Sequence, residues 1–292
     1  MRLVRFATGA RTGVGALVPG GVLDLAAAVP AAPDSVVGVL GAAGPVRDAV
    51  ARAVGAPDPA HVLPLDAVRL LAPVPRPGAI WCVGYNYRGH TAQDDPAHPD
   101  VFTKPASAVA GPQDPVVLPP ASAEVDYEAE LAVVIGRRAH RVPEAEALDH
   151  VGGYTVLDDV SARDWQRHGS QWALGKAFRT FAPLGPAVVT PDEIPDLADL
   201  TVEARVNGEV TLRGSTRDMV FPVARIVSYL SQVVVLEPGD VIATGTPQKL
   251  AHVLDRGPRW LRPGDVVEVT VSHVGTLRSV VVAPEQGGTP CP

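Results

Sequence analysis

Residues 121–136 read A-S-A-E-V-D-Y-E-A-E-L-A-V-V-I-G, and four acids, Glu124, Asp126, Glu128 and Glu130, occupy alternate positions of that run. A β-strand has a period of two, so the four carboxylates leave one face. Val125, Tyr127, Ala129, Leu131, Val133 and Ile135 leave the other as a core face. Like charges at this spacing repel, and a buried carboxylate is costly unless it is paired. A solvated edge strand accommodates the pattern by leaving the charge in water. A bound hard cation accommodates it differently, and an oxygen-only donor set suits Mg²⁺, Mn²⁺ or Ca²⁺ rather than zinc. Ala132, Val134 and Gly136 continue the acidic face without charge, so its polar character stops abruptly. That interruption favours a site.

The surroundings are those of a globular, strand-rich protein. The chain has 292 residues, 46% hydrophobic and 20% charged, with a net charge of −7. An acidic chain of this kind argues against nucleic acid or an anionic membrane as partner. No run approaches the ~20 apolar residues of a membrane span. The start, M-R-L-V-R-F-A-T-G-A-R-T, has no apolar core of a secretory signal, and only Cys82 and Cys291 are present. A cytoplasmic protein without a disulfide framework is therefore expected.

Residues 1–72 alternate short apolar runs with turns and read as a small N-terminal β-hairpin domain, with one helix near 46–54. The Pro-rich 73–78 segment reads as a linker, and 79–292 as the main domain. Within the latter, short β-like runs outnumber helices. Asn207-Gly208 marks a hairpin, and residues 221–231 carry Val223, Ile226, Val227 and Leu230 at helical spacing, with a stop expected at Pro238-Gly239. The expected class is α+β, not a doubly wound parallel sheet. Phosphate-loop, zinc-protease and serine-elbow motifs do not occur.

A second acidic stretch follows at 154–166, Y-T-V-L-D-D-V-S-A-R-D-W-Q. Tyr154–Val160 reads as a strand, and Ser161 with Asp164 reads as an S-x-x-D helix start. Asp158 and Asp159 project to opposite faces, so one at most joins the first strand's carboxylates. Asp159 could equally be a strand terminator, with Arg163 and Asp164 a surface pair.

Taken in order, V-D-Y-E-A-E-L-A-V-V-I-G, V-L-D-D-V-S-A-R-D-W-Q, F-P-V-A-R-I-V-S-Y-L-S, L-E-P-G-D-V-I-A-T-G-T-P and R-P-G-D-V-V-E-V resemble the fumarylacetoacetate hydrolase family over roughly residues 78–280. The resemblance implies a mixed β-roll, a divalent metal (Mg²⁺, with Mn²⁺ or Ca²⁺ as substitutes), a homodimer, and a small-molecule 2-oxo or β-diketo acid substrate. It places the metal ligands at Glu128, Glu130 and Asp159, leaves Asp126 beside them, and turns Glu124 to solvent. Arg163, Gln166 and Thr246 match substrate-contacting positions. Lys176 matches the lysine that meets the bound oxo-acid, and Lys104 in F-T-K-P is placed at the pocket.

One departure bears on the reaction. V-G-Y-N-Y-R-G-H-T-A-Q-D (83–94) resembles the family's lid, in which a histidine is followed three residues later by a glutamate; here the pair is His90 and Gln93. Glutamine can orient an imidazole but lacks the charge that raises its basicity. The leading expectation is C–C bond hydrolysis of an acylpyruvate or fumarylpyruvate type. The alternative is a decarboxylase, an enol–keto isomerase of the 2-hydroxyhepta-2,4-diene-1,7-dioate type, or a catalytically altered homologue, since these depend less on that glutamate. Specificity is assigned to residues 85–110 and to H-V-L-D-R-G-P-R-W-L (252–261), which departs from the family's usual Gly-Val continuation after T-G-T-P.

Overall fold

The computed structural model describes residues 1–9, 11–89 and 95–284. Its centre is the apolar part of the acidic run. Strand Ala129–Ile135 is buried at every position. It pairs antiparallel with Val151–Asp158 on one side and with Val241–Ala243 on the other. Leu131, Val133 and Ile135 enter one core with Val267, Val269 and Ile226, while Ala132 and Val134 enter a second with Leu23, Leu157 and Leu184. A strand covered on both faces reads as a near-continuous apolar run, which is why alternation ends at Glu130.

This strand lies inside a 12-stranded sheet that is mostly antiparallel; the neighbouring pair Val241–Ala243 and Ile80–Gly84 is parallel. A 5-stranded sheet covers one face. Its hairpin Thr201–Val206/Glu209–Ser215 turns at Asn207 and Gly208, whose φ values of 53 and 83° suit the Asn-Gly pair. The fold is α+β, strand-rich and mixed.

The strands Arg2–Thr8, Arg11–Val18 and Gly21–Asp24 form the hairpin series read from the first 72 residues, with helix Gly44–Gly55 alongside. They join the large sheet where Arg2 and Leu3 pair with Val189 and Val188. Residues 72–79 contain neither strand nor helix. Among the described residues, no helix is long and apolar enough to cross a membrane.

Three local expectations are corrected. The acidic run is not one straight strand: Val125–Asp126 pairs with Ser161–Ala162, and the ladder resumes at Ala129. The S-x-x-D helix start does not form. Ser161 lies in a strand and donates to the Asp159 carbonyl, while Asp164 accepts from Ser122, Ala123 and Trp165. The helix Arg163–Gln166 is consequently a single turn, so Arg163 opens it and Gln166 closes it. Helix Val223–Val233 buries Val223, Ile226, Val227 and Leu230 as expected but ends before Pro238.

Candidate active site

Strand pairing builds the site. Ala129 lies opposite Asp158, and just beyond the ladder the Asp159 N–H donates to the Glu128 carbonyl at 2.9 Å. The Glu128 N–H in turn donates to the Asp158 carboxylate at 3.0 Å. Asp158 is thereby engaged with backbone, and burial lifts its carboxyl to about 7 despite that bond. Asp159 turns the other way, beside Glu128 and Glu130, and oxygens of these three carboxylates lie within 4.8 Å of one another.

Four cations surround the acids, two of them completely buried or nearly so. The Lys176 ammonium donates to Glu128 at 2.7 Å and to Asp159 at 2.6 Å. Lys104 donates to the other Asp159 oxygen at 2.6 Å and to the Val160 carbonyl at 3.0 Å. Arg163 bridges Glu128 at 2.6 Å and Asp126 at 3.0 Å, and its other arm meets Gln166 at 3.0 Å. Lys249 pairs with the free oxygen of Asp126. Burial works against charge on both Glu128 and Lys176. Their attraction wins: Arg163 and Lys176 hold the Glu128 carboxyl well below the usual range, and Asp159 and Glu128 hold Lys176 protonated.

Glu130 is the opposite case. Burial, then the charges of Asp159 and Glu128, push its carboxyl well above the usual range, and among the described residues its close donor is the Gly245 N–H at 2.6 Å. A buried carboxyl crowded by two carboxylates is relieved by a divalent cation, and the all-oxygen donor set fits a hard one.

Gly245 is what the T-G-T-P motif contributes. Its φ is +95°, and a Cβ there would stand 2.8 Å from the Asn86 Cβ and 3.0 Å from the Val83 carbonyl oxygen. Gly245→Ala is expected to cost on the order of 1–3 kcal/mol and to weaken divalent-cation affinity by displacing the N–H that holds Glu130. Urea unfolding and metal titration check this; unchanged values in both would refute it.

A cleft of ≈ 340 Å³ opens over the carboxylates, with Gln166, Lys176 and Thr246 in its lining and an aromatic wall of Tyr85, Phe102 and Trp172. Of the residues expected from the sequence, Glu128, Glu130, Arg163, Gln166, Lys176 and Thr246 line this cleft, and Asp159 is buried against Glu128 and Lys176. His90 and Gln93 lie outside the described residues. Two expectations change. Lys104 does not line the cleft; it is fully buried behind Asp159. Glu124 does not simply face water, because Arg167 pairs with it. Gly245 and Lys249 were not singled out. The first lay inside a quoted motif, and the second had no signal beyond following it.

Residues 79–282 match the family described as Fumarylacetoacetate (FAA) hydrolase C-terminal. The chain belongs to the fumarylacetoacetate hydrolase family. Among similar members is the mitochondrial oxaloacetate tautomerase FAHD2A of Bos taurus, 44% identical over 291 residues, which span 97% of this chain and 92% of that protein. The fumarylacetoacetate hydrolase of Exiguobacterium antarcticum superposes with a TM-score of 0.84 at 37% identity, covering 97% of this chain and 100% of that one. A maleylpyruvate hydrolase from Sphingobium sp. SYK-6, solved with manganese(II) and pyruvate, superposes at 0.80 with 32% identity, covering 98% and 100%. The chain is thus similar in sequence to a tautomerase and in fold to two hydrolases.

Proposed function

We propose that this protein is a divalent-metal-dependent enzyme that enolises a 2-oxo acid carrying a second carbonyl or carboxylate group. The observation that carries the reading is the Lys176 ammonium, buried between Glu128 and Asp159 on the wall of the cleft. The similarity to oxaloacetate tautomerases supports the same class of reaction. A cation held by Glu128, Glu130 and Asp159 would supply Lewis-acid stabilisation to the oxo-acid's oxygens.

The chain's own groups account for the rest. Lys176 stays protonated and offers a fixed positive charge where negative charge develops as carbon 3 loses its proton. Arg163, fixed by Asp126, Glu128 and Gln166, orients the acid, and the Thr246 hydroxyl and backbone line the place of its carboxylate. His90 is assigned the proton at carbon 3. Enolisation moves the carbon-3 proton onto His90 and returns a proton to the enolate oxygen, whereas hydrolysis also needs an activated water that adds to a carbonyl.

The second reading, C–C hydrolysis, is favoured by the likeness to maleylpyruvate hydrolase and by retention of the lid histidine. Product analysis by NMR on oxaloacetate, an acylpyruvate and a hydroxydienedioate, with metal and after chelation, separates the two. Enol–keto exchange lost on chelation supports the proposal; turnover indifferent to chelation contradicts it. Gln93→Glu is expected to raise acylpyruvate hydrolysis by ~10²-fold through restored general-base catalysis, with a smaller change in enolisation. An equal effect on both reactions would refute that division of roles.

A further inference from the structure

Strand Asp100–Lys104 pairs antiparallel with Ile80–Gly84, and its alternate residues Phe102 and Lys104 both reach the catalytic charges. A period of two puts them on one face. The Phe102 ring centre lies 4.9 Å from the Lys176 ammonium and forms part of the cleft wall. Lys104 goes deeper: its side chain and that of Asp159 are wholly buried, and its ammonium meets Asp159 and the Val160 carbonyl. It does not line the cleft and takes no direct part in enolisation. Burying an ammonium is costly unless an acid compensates, and Asp159 already has Lys176. A second ammonium on the same carboxylate exceeds what pairing alone requires.

The pairing of individual oxygens shows what this second ammonium does. Glu128 gives Oε1 to Arg163, Glu130 gives Oε2 to the Gly245 N–H, and Asp159 gives Oδ1 to Lys104. One oxygen of each acid is thus held by a donor, which leaves Glu128 Oε2, Glu130 Oε1 and Asp159 Oδ2. Lys176 donates to the first and last of these, so they lie side by side. The Arg163 hold has some freedom, since 21% of that side chain is exposed. The Lys104 hold is tighter, because its ammonium is sealed from bulk water. Hard cations differ in how they use such a set. Ca²⁺ takes about 6–8 oxygens and often both of one carboxylate, whereas the smaller Mg²⁺ is bound through few protein oxygens and keeps several waters. Mn²⁺ likewise suits an octahedral oxygen set.

We propose that Lys104 is a positioning residue: by occupying Asp159 Oδ1 it confines that acid to one-oxygen ligation and makes the site prefer a small octahedral cation, Mg²⁺ or Mn²⁺, to Ca²⁺. The inference rests on the reading of Glu128, Glu130 and Asp159 as a cation site, and it adds which cation is refused and by which residue. Lys104 acts through Asp159 and contacts neither cation nor substrate. With its ammonium removed, Oδ1 is free to join Oδ2 on a larger ion, and Ca²⁺ gains a ligand that a small cation does not need. Plain neutralisation of charge would act otherwise, because losing one positive charge strengthens every divalent cation alike.

The test is calorimetric titration of the full-length protein with Ca²⁺ and, as the small-cation probe, with Mn²⁺. The wild-type protein should bind Mn²⁺ ~10²-fold more tightly than Ca²⁺, and in Lys104→Met that preference should fall to ~10-fold or less. Lys176→Met is the control. It also strips one positive charge from Asp159 but leaves Oδ1 held, so both affinities should move together and the preference should stay within ~2-fold of the wild-type value. Near-equal affinities in the wild-type protein, a preference unchanged in folded Lys104→Met, or an equal fall in Lys176→Met would overturn the assignment while leaving the cation site intact. Should circular dichroism show Lys104→Met unfolded, a crystal structure of the Mn²⁺-loaded wild-type protein decides. Asp159 Oδ2 alone on the ion, with Lys104 on Oδ1, upholds the assignment; both oxygens on the ion refute it. Binding of neither cation would bring down the metal reading, and this inference with it.

Discussion

Glu128→Ala is expected to abolish divalent-cation binding and to lower kcat by at least ~10³-fold, because it removes one of three oxygen donors and the acid that aligns both Arg163 and Lys176. The fold should persist. Arg163 keeps Asp126, and Lys176 keeps Asp159, so neither cation is left buried without an acid. The measurement is a metal titration with steady-state kinetics, alongside circular dichroism to confirm folding. Full activity in a folded Glu128→Ala protein would remove this residue from the proposed ligand set.

Lys176→Met should separate catalysis from metal binding. Methionine fills a similar apolar volume, and the acids are not abandoned: Asp159 retains Lys104 and Glu128 retains Arg163. What disappears is a cation that touches both acids from the wall of the cleft. Turnover is expected to fall ~10²–10³-fold, the scale of losing a fixed charge at a developing enolate. Cation affinity should hold or rise, since one competitor for the carboxylates has gone. A parallel loss of affinity and turnover would reduce Lys176 to a structural support.

How much of this was legible in the sequence follows from what each signal encodes. Alternation of acids and apolar residues from Glu124 to Glu130 is a local property of strands, so the apolar face of this stretch and its carboxylates could be read directly. The break at Tyr127–Glu128 could not, because it depends on the pairing of Val125–Asp126 with Ser161–Ala162, a long-range contact. The helix at Arg163 illustrates the same limit. S-x-x-D is a good local start signal, yet Ser122 and Ala123 capture Asp164 from another part of the chain. Charge balance was the least visible feature. Lys104 and Lys249 sit 55 and 123 residues from their acids, and only the folded sheets bring them within reach.

The central claim is that Glu128, Glu130 and Asp159 gather one divalent cation. Burial and neighbouring charge push the Glu130 carboxyl well above its usual range, and a bound cation favours the ionised form, so binding is expected to release a proton. Affinity should then rise as pH rises, and the heat should vary with the buffer's own ionisation enthalpy. Calorimetric titration with Mg²⁺ or Mn²⁺ is therefore the most direct measurement. The expected result is one ion per chain, bound with proton release, and absent from the Glu128→Ala protein. No binding, or binding unaltered by replacing any of the three acids, would contradict it.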